Sequence, residues 1–180
     1  MASIIGHSVV GYTIGKLCGK RLNGKVIFLA TALAFFPDAD VILHNMGVSY
    51  DSVWGHRGFS HSLTFALIIG ILFSLPFKQH RWQVALVFSL AIASHGILDS
   101  MTTGGRGVAF FWPWENGRYF LPWRFIKVSP LSLVRFFSEW GWQVVKSELT
   151  YVVSPCLGLL GLQRLTLGFI HRRKKKEALF

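Results

Sequence analysis

The sequence predicts an all-α membrane protein, a polytopic bundle of about four to five membrane-embedded helices with a metal site at one end. Three observations support this fold class. Of the 180 residues, 52% are hydrophobic, and the mean hydropathy is +0.44. Several apolar runs approach the roughly 20 residues that a helix needs to cross a bilayer. Histidines and aspartates recur where those runs end, although the chain holds only eight acidic residues.

The first helical segment is expected from about Ser3 to Lys20. His7, Gly11, Gly15 and Gly19 recur on one face of it at intervals of four residues. Small residues at this spacing let helices approach closely in a membrane. The sequence therefore predicts tight packing of another helix against this face.

The next three segments follow from their apolar runs. The second is expected from about Lys25 to Phe36 and stops at Pro37, because proline breaks a helix interior. The third is expected at about Phe59–Phe77 and the fourth at about Trp82–Ser100. The link between them, residues 78–81, is so short that the two form a helical hairpin.

The C-terminal part differs in composition. Residues 102–130 are rich in Gly, Pro, Trp and Arg, which predicts a loop. An amphipathic segment over about 131–149 and an apolar segment over about 151–170 follow, before a basic tail. We expect a single domain, 1–180, made of a motif core at 1–105, the Trp/Arg-rich loop at 102–130, and C-terminal helices and tail at 131–180.

The charge pattern predicts an orientation. The net charge is +11, in short basic clusters that favour anionic lipid over nucleic acid as a partner. If the helices alternate across the membrane, one side receives Lys16, Lys20, Arg21, Lys25, Lys78, Arg81 and Arg172 to Lys176. The positive-inside rule predicts that this side and the basic tail are cytoplasmic. The His and Asp motifs are then extracytoplasmic.

Two motifs place carboxylates at helix ends. His95 and Asp99 are four residues apart and share a helical face, so both can bind one ion. A helix-end cap beside a lone histidine is the alternative. Asp38 and Asp40 follow Pro37, and in an irregular segment both can turn towards a metal, with Asp40 slightly favoured. Ordinary turn chemistry is the alternative there.

The most specific string is HRGFSH, residues 56–61. His56 and His61 bracket an arginine and a glycine at a helix start, which predicts metal binding by at least one of them. Arg57 suits a phosphate, or alternatively an ion pair with Asp38, Asp40 or Asp51. Ser60 is expected to cap the third helix.

The remaining histidines divide into two groups. His7 stands alone on its helix, but its expected depth matches that of the other motifs and favours metal binding. His44, His80 and His171 are expected to lie outside the site. The sequence contains no HExxH, GxSxG or P-loop string, which excludes the signatures of zincin proteases, α/β-hydrolases and P-loop enzymes.

Taken in order, the early histidine, PDAD, HRGFSHS and HGILD followed by Thr and Gly resemble the YdjM family of bacterial membrane-bound metal-dependent hydrolases. The resemblance covers about residues 1–105 and implies a location in the bacterial inner membrane. The order is also distantly similar to zinc-dependent phospholipase C and related nucleases. That similarity implies metal ligands at His7, Asp38 or Asp40, His56 or His61, His95 and Asp99, with Asp99 bridging. The later His-x-x-x-Glu of those enzymes has no counterpart after Asp99, which favours one or two ions over three.

The leading functional hypothesis is hydrolysis of a phosphoester, in a lipid or a membrane-associated substrate, by metal-activated water. The ion is expected to be Zn²⁺, with Mn²⁺ as the alternative. Asp38 is expected to orient the water or act as base, and Arg57, Arg106 and Arg118 to hold phosphate oxygens. Transport of a divalent cation and a purely structural metal remain open alternatives, as does the oligomeric state.

Overall fold

The computed structural model describes residues 1–18, 22–130 and 133–177. Its helices are α1 (Ile4–Cys18), α2 (Gly24–Phe35), α3 (Val41–Asn45), α4 (Leu63–Ser74), α5 (Arg81–Ser100), α6 (Leu133–Phe136), α7 (Glu139–Glu148) and α8 (Ser154–Glu177). Two 3₁₀ turns cover Phe36–Asp40 and Phe59–His61, and a π-helical turn, Leu149–Val153, joins α7 to α8. Within the described ranges there are isolated β-bridges but no strands. The all-α fold class is confirmed.

Among the described residues, three helical stretches are long and apolar enough to cross a bilayer. They are Gly24–Asn45, Arg81–Ser100 and Glu139–Arg172, with 22, 20 and 34 residues. The apolar helix α4 is shorter, at 12 residues. Many apolar side chains of α4 and α8 are exposed, among them Leu67 and Leu162. Exposed leucines of this kind suit helices that face lipid.

The interior lies between α1, α2, α4 and α5. The helices α4 and α5 pack side by side as the predicted hairpin, and α2 lies against both α1 and α5. The buried apolar side chains of this core are Val26, Ala30, Leu33, Ala34, Ala66, Val84, Val87, Phe88, Ala91 and Ile92. This core fixes the relative positions of the helix ends that carry the conspicuous His and Asp residues.

Close packing of α1 on α2 depends on Gly11. A Cβ atom on Gly11 would lie 2.5 Å from the Cβ of Ala34 and 2.7 Å from the carbonyl oxygen of Ala30. Gly15 similarly faces the backbone of Ile27. The predicted tight contact along this face is therefore confirmed, and Gly19 lies outside the described residues.

The third predicted helix starts later than expected. Phe59–His61 form a 3₁₀ turn, and α4 begins only at Leu63. The hydroxyl of Ser62, not of Ser60, accepts the capping hydrogen bond from the N–H of Phe65 at 3.0 Å. Ser60 instead donates to Asp40 at 2.7 Å. The Ser60 cap was wrong because this long-range carboxylate uses the hydroxyl and holds the chain in a turn.

The two predicted C-terminal segments are nearly one helix. The π-helical turn carries α7 into α8 without a loop, at the boundary that the sequence placed near residue 150. The first positions of the predicted amphipathic segment, 131 and 132, lie outside the described residues. Pro155 lies in the first turn of α8, where a proline is tolerated.

Two side-chain hydrogen bonds show which helices meet at the end of the bundle opposite these His and Asp residues. The side-chain amide of Gln83 donates to the carbonyl of Cys18 at 2.9 Å, and that of Gln163 donates to the carbonyl of Lys16 at 3.1 Å. The end of α1, the start of α5 and the middle of α8 therefore meet there. The start of α1 and the end of α5 meet at the other end.

We predict that Gly11→Ala destabilises the protein by about 1–3 kcal/mol, because its methyl group would overlap α2. The matched control is Gly158→Ala in α8, where an added Cβ meets nothing within 4 Å. Thermal unfolding in mild detergent measures both. Equal midpoints for the two variants would contradict the tight α1–α2 contact.

Candidate metal centre

The separate motifs converge at one end of the bundle. Asp38 comes from the 3₁₀ turn after α2, His61 from the turn before α4, and His95 and Asp99 from the last turns of α5. One potential ligand atom from each lies within 4.8 Å of the other three. The side chain of Asp38 is 9% exposed and the other three are fully buried. We call these four residues the central cluster.

The spacing within the central cluster suits one tetrahedral ion. The Nε2 atom of His95 lies 3.0 Å from Nε2 of His61 and 3.2 Å from Oδ1 of Asp38. The Nε2 atom of His61 lies 3.7 Å from Oδ1 of Asp38 and 3.8 Å from Oδ2 of Asp99. A tetrahedral zinc ion with arms of about 2.1 Å has ligand atoms about 3.4 Å apart. Two imidazoles and two carboxylates therefore fit such an ion.

Hydrogen bonds at the outer nitrogens orient the two imidazoles. The Nδ1 of His95 lies 2.8 Å from the carbonyl oxygen of Ala34, which can only accept, so Nδ1 carries the proton. The Nδ1 of His61 faces Ser60 Oγ at 2.9 Å and Asp40 Oδ2 at 3.3 Å. Both Nε2 atoms are then turned inward, towards each other. A proton or a metal ion must lie between them, because two lone pairs at this distance repel each other.

Asp40 lies beside the central cluster and accepts hydrogen bonds from three residues. Its Oδ1 atom accepts from Nδ1 of His56 at 2.7 Å, and its Oδ2 atom accepts from the hydroxyl of Ser60 and the backbone N–H of Arg57. Asp40, His56 and His61 form a second group with metal-ligand geometry. Sequence reasoning slightly favoured Asp40 over Asp38 as a ligand. The structure places Asp38 in the four-residue cluster and gives the oxygens of Asp40 other partners.

Buried polar atoms without a hydrogen-bond partner concentrate here. Among the described residues they include both oxygens of Asp38, both ring nitrogens of His7, Nε2 of His56 and Oδ2 of Asp99. Native proteins rarely leave such atoms unpaired, since each costs free energy when removed from water. A cation bound among them would satisfy several at once. The residues present therefore fit a divalent metal ion.

Arg57 is the charge partner of Asp99. Its side chain is fully buried, and Nε lies 2.9 Å from Oδ2 of Asp99 as an ion pair without a directed hydrogen bond. Its terminal nitrogens donate to the carbonyl of Gly104 and the hydroxyl of Thr102, both at 3.0 Å. Sequence reasoning considered only Asp38, Asp40 and Asp51 as ion-pair partners. All three partners were wrong, because the side chain of Arg57 turns towards Asp99 and is covered by the loop after α5.

His7 lies beside the central cluster. Its ring stacks on His95 with centroids 3.7 Å apart, and its Nε2 atom is 3.4 Å from Oδ1 of Asp99. The N–H of Ala2 donates to the same oxygen at 2.6 Å. The start of α1 is therefore part of the site, as expected from the depth of His7.

Two glycines make this assembly possible. A Cβ on Gly96 would lie 2.8 Å from the carbonyl oxygen of His61, so only glycine lets the 3₁₀ turn approach α5 this closely. Gly105 has a φ of +91°, and a Cβ there would lie 2.3 Å from Nη1 of Arg57. Because it has no side chain, Gly96 leaves room for His61, and Gly105 leaves room for Arg57.

The other two predicted phosphate-binding arginines lie on the outer loops. Arg118 donates to the carbonyls of His56, Tyr50 and Ser52 at 2.8–3.1 Å and so holds the loop before HRGFSH. Arg106 is 60% exposed and pairs with the exposed Asp51. His44 stands apart from the cluster, with Nδ1 near the carbonyl of Val48 at 3.3 Å.

Sequence reasoning missed Glu148. This buried carboxylate ends α7 and accepts from the backbone N–H and the hydroxyl of Ser3, each at 2.5 Å. It thereby ties the C-terminal helices to the start of α1. An acid directly before the apolar run Leu149–Val153, in a chain with eight acids, was the available signal.

Burial and carboxylates act in opposite directions on the two histidines of HRGFSH. Burial is the largest influence on His61 and would lower its pKa, but the neighbouring carboxylates of Asp38 and Asp40 outweigh it and raise the pKa to about 9. Burial lowers the pKa of His56, against the hydrogen bond to Asp40. His61 thus sits in a field that favours a positive charge.

Comparison with known proteins gives two matches. A family model described as "YdjM inner membrane protein" matches residues 1–171. "Inner membrane protein YbcI" of Escherichia coli (strain K12) is 41% identical over 169 residues, which cover 90% of this chain and 96% of that protein. No solved structure matches. The family resemblance is confirmed, while the similarity to phospholipase C stays a prediction.

We predict different effects for the two aspartates of PDAD on zinc binding. Asp38→Ala should abolish tight binding, because it removes a ligand of the central cluster. Asp40→Ala should weaken binding by roughly 10–100-fold, because it releases His61 without removing a member of the central cluster. Competition with a chromophoric chelator in mild detergent measures both affinities. Complete loss in Asp40→Ala with full binding in Asp38→Ala would reverse the assignment.

Proposed function

The chain belongs to the YdjM family of inner membrane proteins, and we propose that it is a membrane-bound metal-dependent hydrolase. Its substrate, in this proposal, is a phosphoester in a lipid or another membrane-associated molecule. The observation that carries the proposal is the convergence of Asp38, His61, His95 and Asp99 on one point inside an apolar bundle. Carboxylates in such surroundings are costly, and their presence favours a functional role.

The side chains suggest a division of tasks. A divalent ion such as Zn²⁺ or Mn²⁺ held here would supply activation of a water molecule and polarisation of a phosphoryl oxygen. His95 and His61 would be fixed as ligands by Ala34, Ser60 and Asp40. Asp38 would hold the ion through Oδ1, which faces the two histidines. Its Oδ2 atom, which has no hydrogen-bond partner, would orient the attacking water and take its proton.

The arrangement accommodates one ion or two. The central cluster supplies one complete set of ligands, and Asp40, His56 and His61 supply a partial second set. His61 belongs to both, with its two ring nitrogens facing different carboxylates. His7 adds a further nitrogen next to Asp99.

The arginines would act at different distances from the substrate. Arg57 is enclosed by Asp99, Gly104 and Thr102, so we assign it the positioning of Asp99. Arg106 has an exposed guanidinium and is the stronger candidate for contact with a phosphate. Arg118 would act through the loop that it holds.

We place this end of the bundle on the extracytoplasmic side. Lys16 lies at the opposite end, where α1 finishes near Gln163. Lys25 is the second residue of the span Gly24–Asn45, and Lys78 lies just before α5, so both belong to the same end as Lys16. The positive-inside rule then makes that end, and the basic tail, cytoplasmic.

A structural metal is the second candidate function. The observation that favours it is burial, since four ligands at most 9% exposed could close a tetrahedral site completely. The donor set favours catalysis, because catalytic zinc is commonly bound by His and carboxylates, and structural zinc by cysteines.

We predict that Asp38→Asn lowers phospholipid hydrolysis at least about 100-fold, because the amide cannot accept the proton from water. The test uses zinc-loaded protein in phosphatidylethanolamine and phosphatidylglycerol vesicles, with products identified by mass spectrometry. His44→Gln, outside the site, is the matched control and should keep full turnover. Metal bound without turnover by the natural sequence would favour the structural candidate.

A further inference from the structure

An apolar groove leads from the surface of the bundle to the central cluster. It has a volume of about 340 Å³, within the range of roughly 300–1,000 Å³ typical of small-molecule pockets. Ile4 of α1 lies on one side, and Phe36 of the turn after α2 and Val41 at the start of α3 lie on the other. Among its described lining residues, Asp38 has the single polar side chain.

The groove belongs to the part of the protein that meets the bilayer. Phe36, Ala39 and Val41 all lie within the span Gly24–Asn45. Ile4 is 56% exposed, and the ring of Phe36 continues the apolar surface onto α4 through Phe65. A groove in such a surface opens to hydrocarbon rather than to water.

The inner end of the groove has the opposite character. The Asp38 side chain is nine-tenths buried, and both oxygens lack a hydrogen-bond partner. Its Oδ1 atom lies 3.2 Å from Nε2 of His95 in the central cluster. A ligand that fills the groove therefore needs a long apolar part and a polar group that reaches a metal-type site.

From this polarity we infer that the groove admits one acyl chain of a phospholipid from the bilayer plane, with the phosphoester headed towards Asp38. The cleavage of this lipid rests on the proposed hydrolase function. The binding of its acyl chain does not depend on that function. It specifies the substrate as a lipid with an acyl chain adjacent to the phosphoester. It also specifies lateral access between the start of α1 and the turn that carries PDAD.

Photo-crosslinking tests the binding directly. The protein is placed in phosphatidylethanolamine and phosphatidylglycerol vesicles that contain phosphatidylethanolamine with a diazirine on one acyl chain. Labelled residues are then found by mass spectrometry. We expect more label on Ile4, Phe36 and Val41 than on the exposed α4 residues Leu67, Ile68 and Leu72, which report ordinary lipid contact. Equal labelling of the two sets would overturn the inference.

Two variants that fill the groove sharpen this test. Ile4→Trp and Ala39→Trp each add bulk to an exposed lining position, and either should cause loss of the label on Phe36 and Val41. Leu67→Trp is the matched control, since Leu67 is 55% exposed and lies outside the groove. Label that persists in both filled variants, with circular dichroism showing them folded, would contradict occupation by an acyl chain.

A comparison of substrates separates this inference from the hydrolase proposal. Ile4→Trp should lose turnover of long-chain phosphatidylethanolamine while keeping turnover of its short-chain dihexanoyl form. Equal turnover of both substrates by Ile4→Trp would refute the groove and leave the hydrolase intact. Groove labelling without any turnover by the natural sequence would refute the hydrolase and leave the groove intact.

Discussion

The placement of carboxylates inside an apolar helical bundle is the constraint on which the rest of the structure depends. Asp38, Asp40 and Asp99 all lie 3.3–3.8 Å from ring nitrogens of His61. The buried guanidinium of Arg57 offsets one of the three negative charges on these side chains. The carboxylates of Asp38 and Asp40 lie against histidines instead. Uncompensated charge of this kind is costly in a protein interior and more so in a membrane.

The two 3₁₀ turns and the left-handed backbone of Arg57 place residues at this cluster. The Phe36–Asp40 turn brings both aspartates inward, and the Phe59–His61 turn delivers His61 where a regular helix would not. Arg57 adopts a left-handed φ of +65°, uncommon for a residue other than glycine, which marks a backbone held by its surroundings. The regular helix α5 supplies His95 and Asp99, and the two turns supply Asp38 and His61.

The chemistry follows from an inner and an outer layer of contacts. Asp38, His61, His95 and Asp99 face a common point, whereas Asp40 and Ala34 hold the outer nitrogens of the two histidines. Such outer contacts set which nitrogen is free and where it points. The groove beside Asp38 links this polar point to the hydrocarbon, which gives the proposed site a route for a lipid.

Much of this could be predicted from the sequence, because apolar runs and His/Asp spacing are local patterns. The helices α2 and α5 matched within two residues at their ends, and all four residues of the central cluster were among the predicted ligands. Three features could not be predicted, because they depend on contacts across long stretches of chain. They are the ion pair between Arg57 and Asp99, the hydrogen bond from Ser60 to Asp40, and the hydrogen bond from Ser3 to Glu148.

Metal content tests the central claim most directly. Protein purified in mild detergent after exposure to zinc would be measured by mass spectrometry of the metal, beside an Asp38→Ala/His95→Ala double variant with circular dichroism as the folding control. We predict about one or two ions per chain in the natural sequence and none in the folded double variant. Absence of metal from the folded natural protein, or equal metal in both proteins, would contradict the assignment of this cluster as a metal centre.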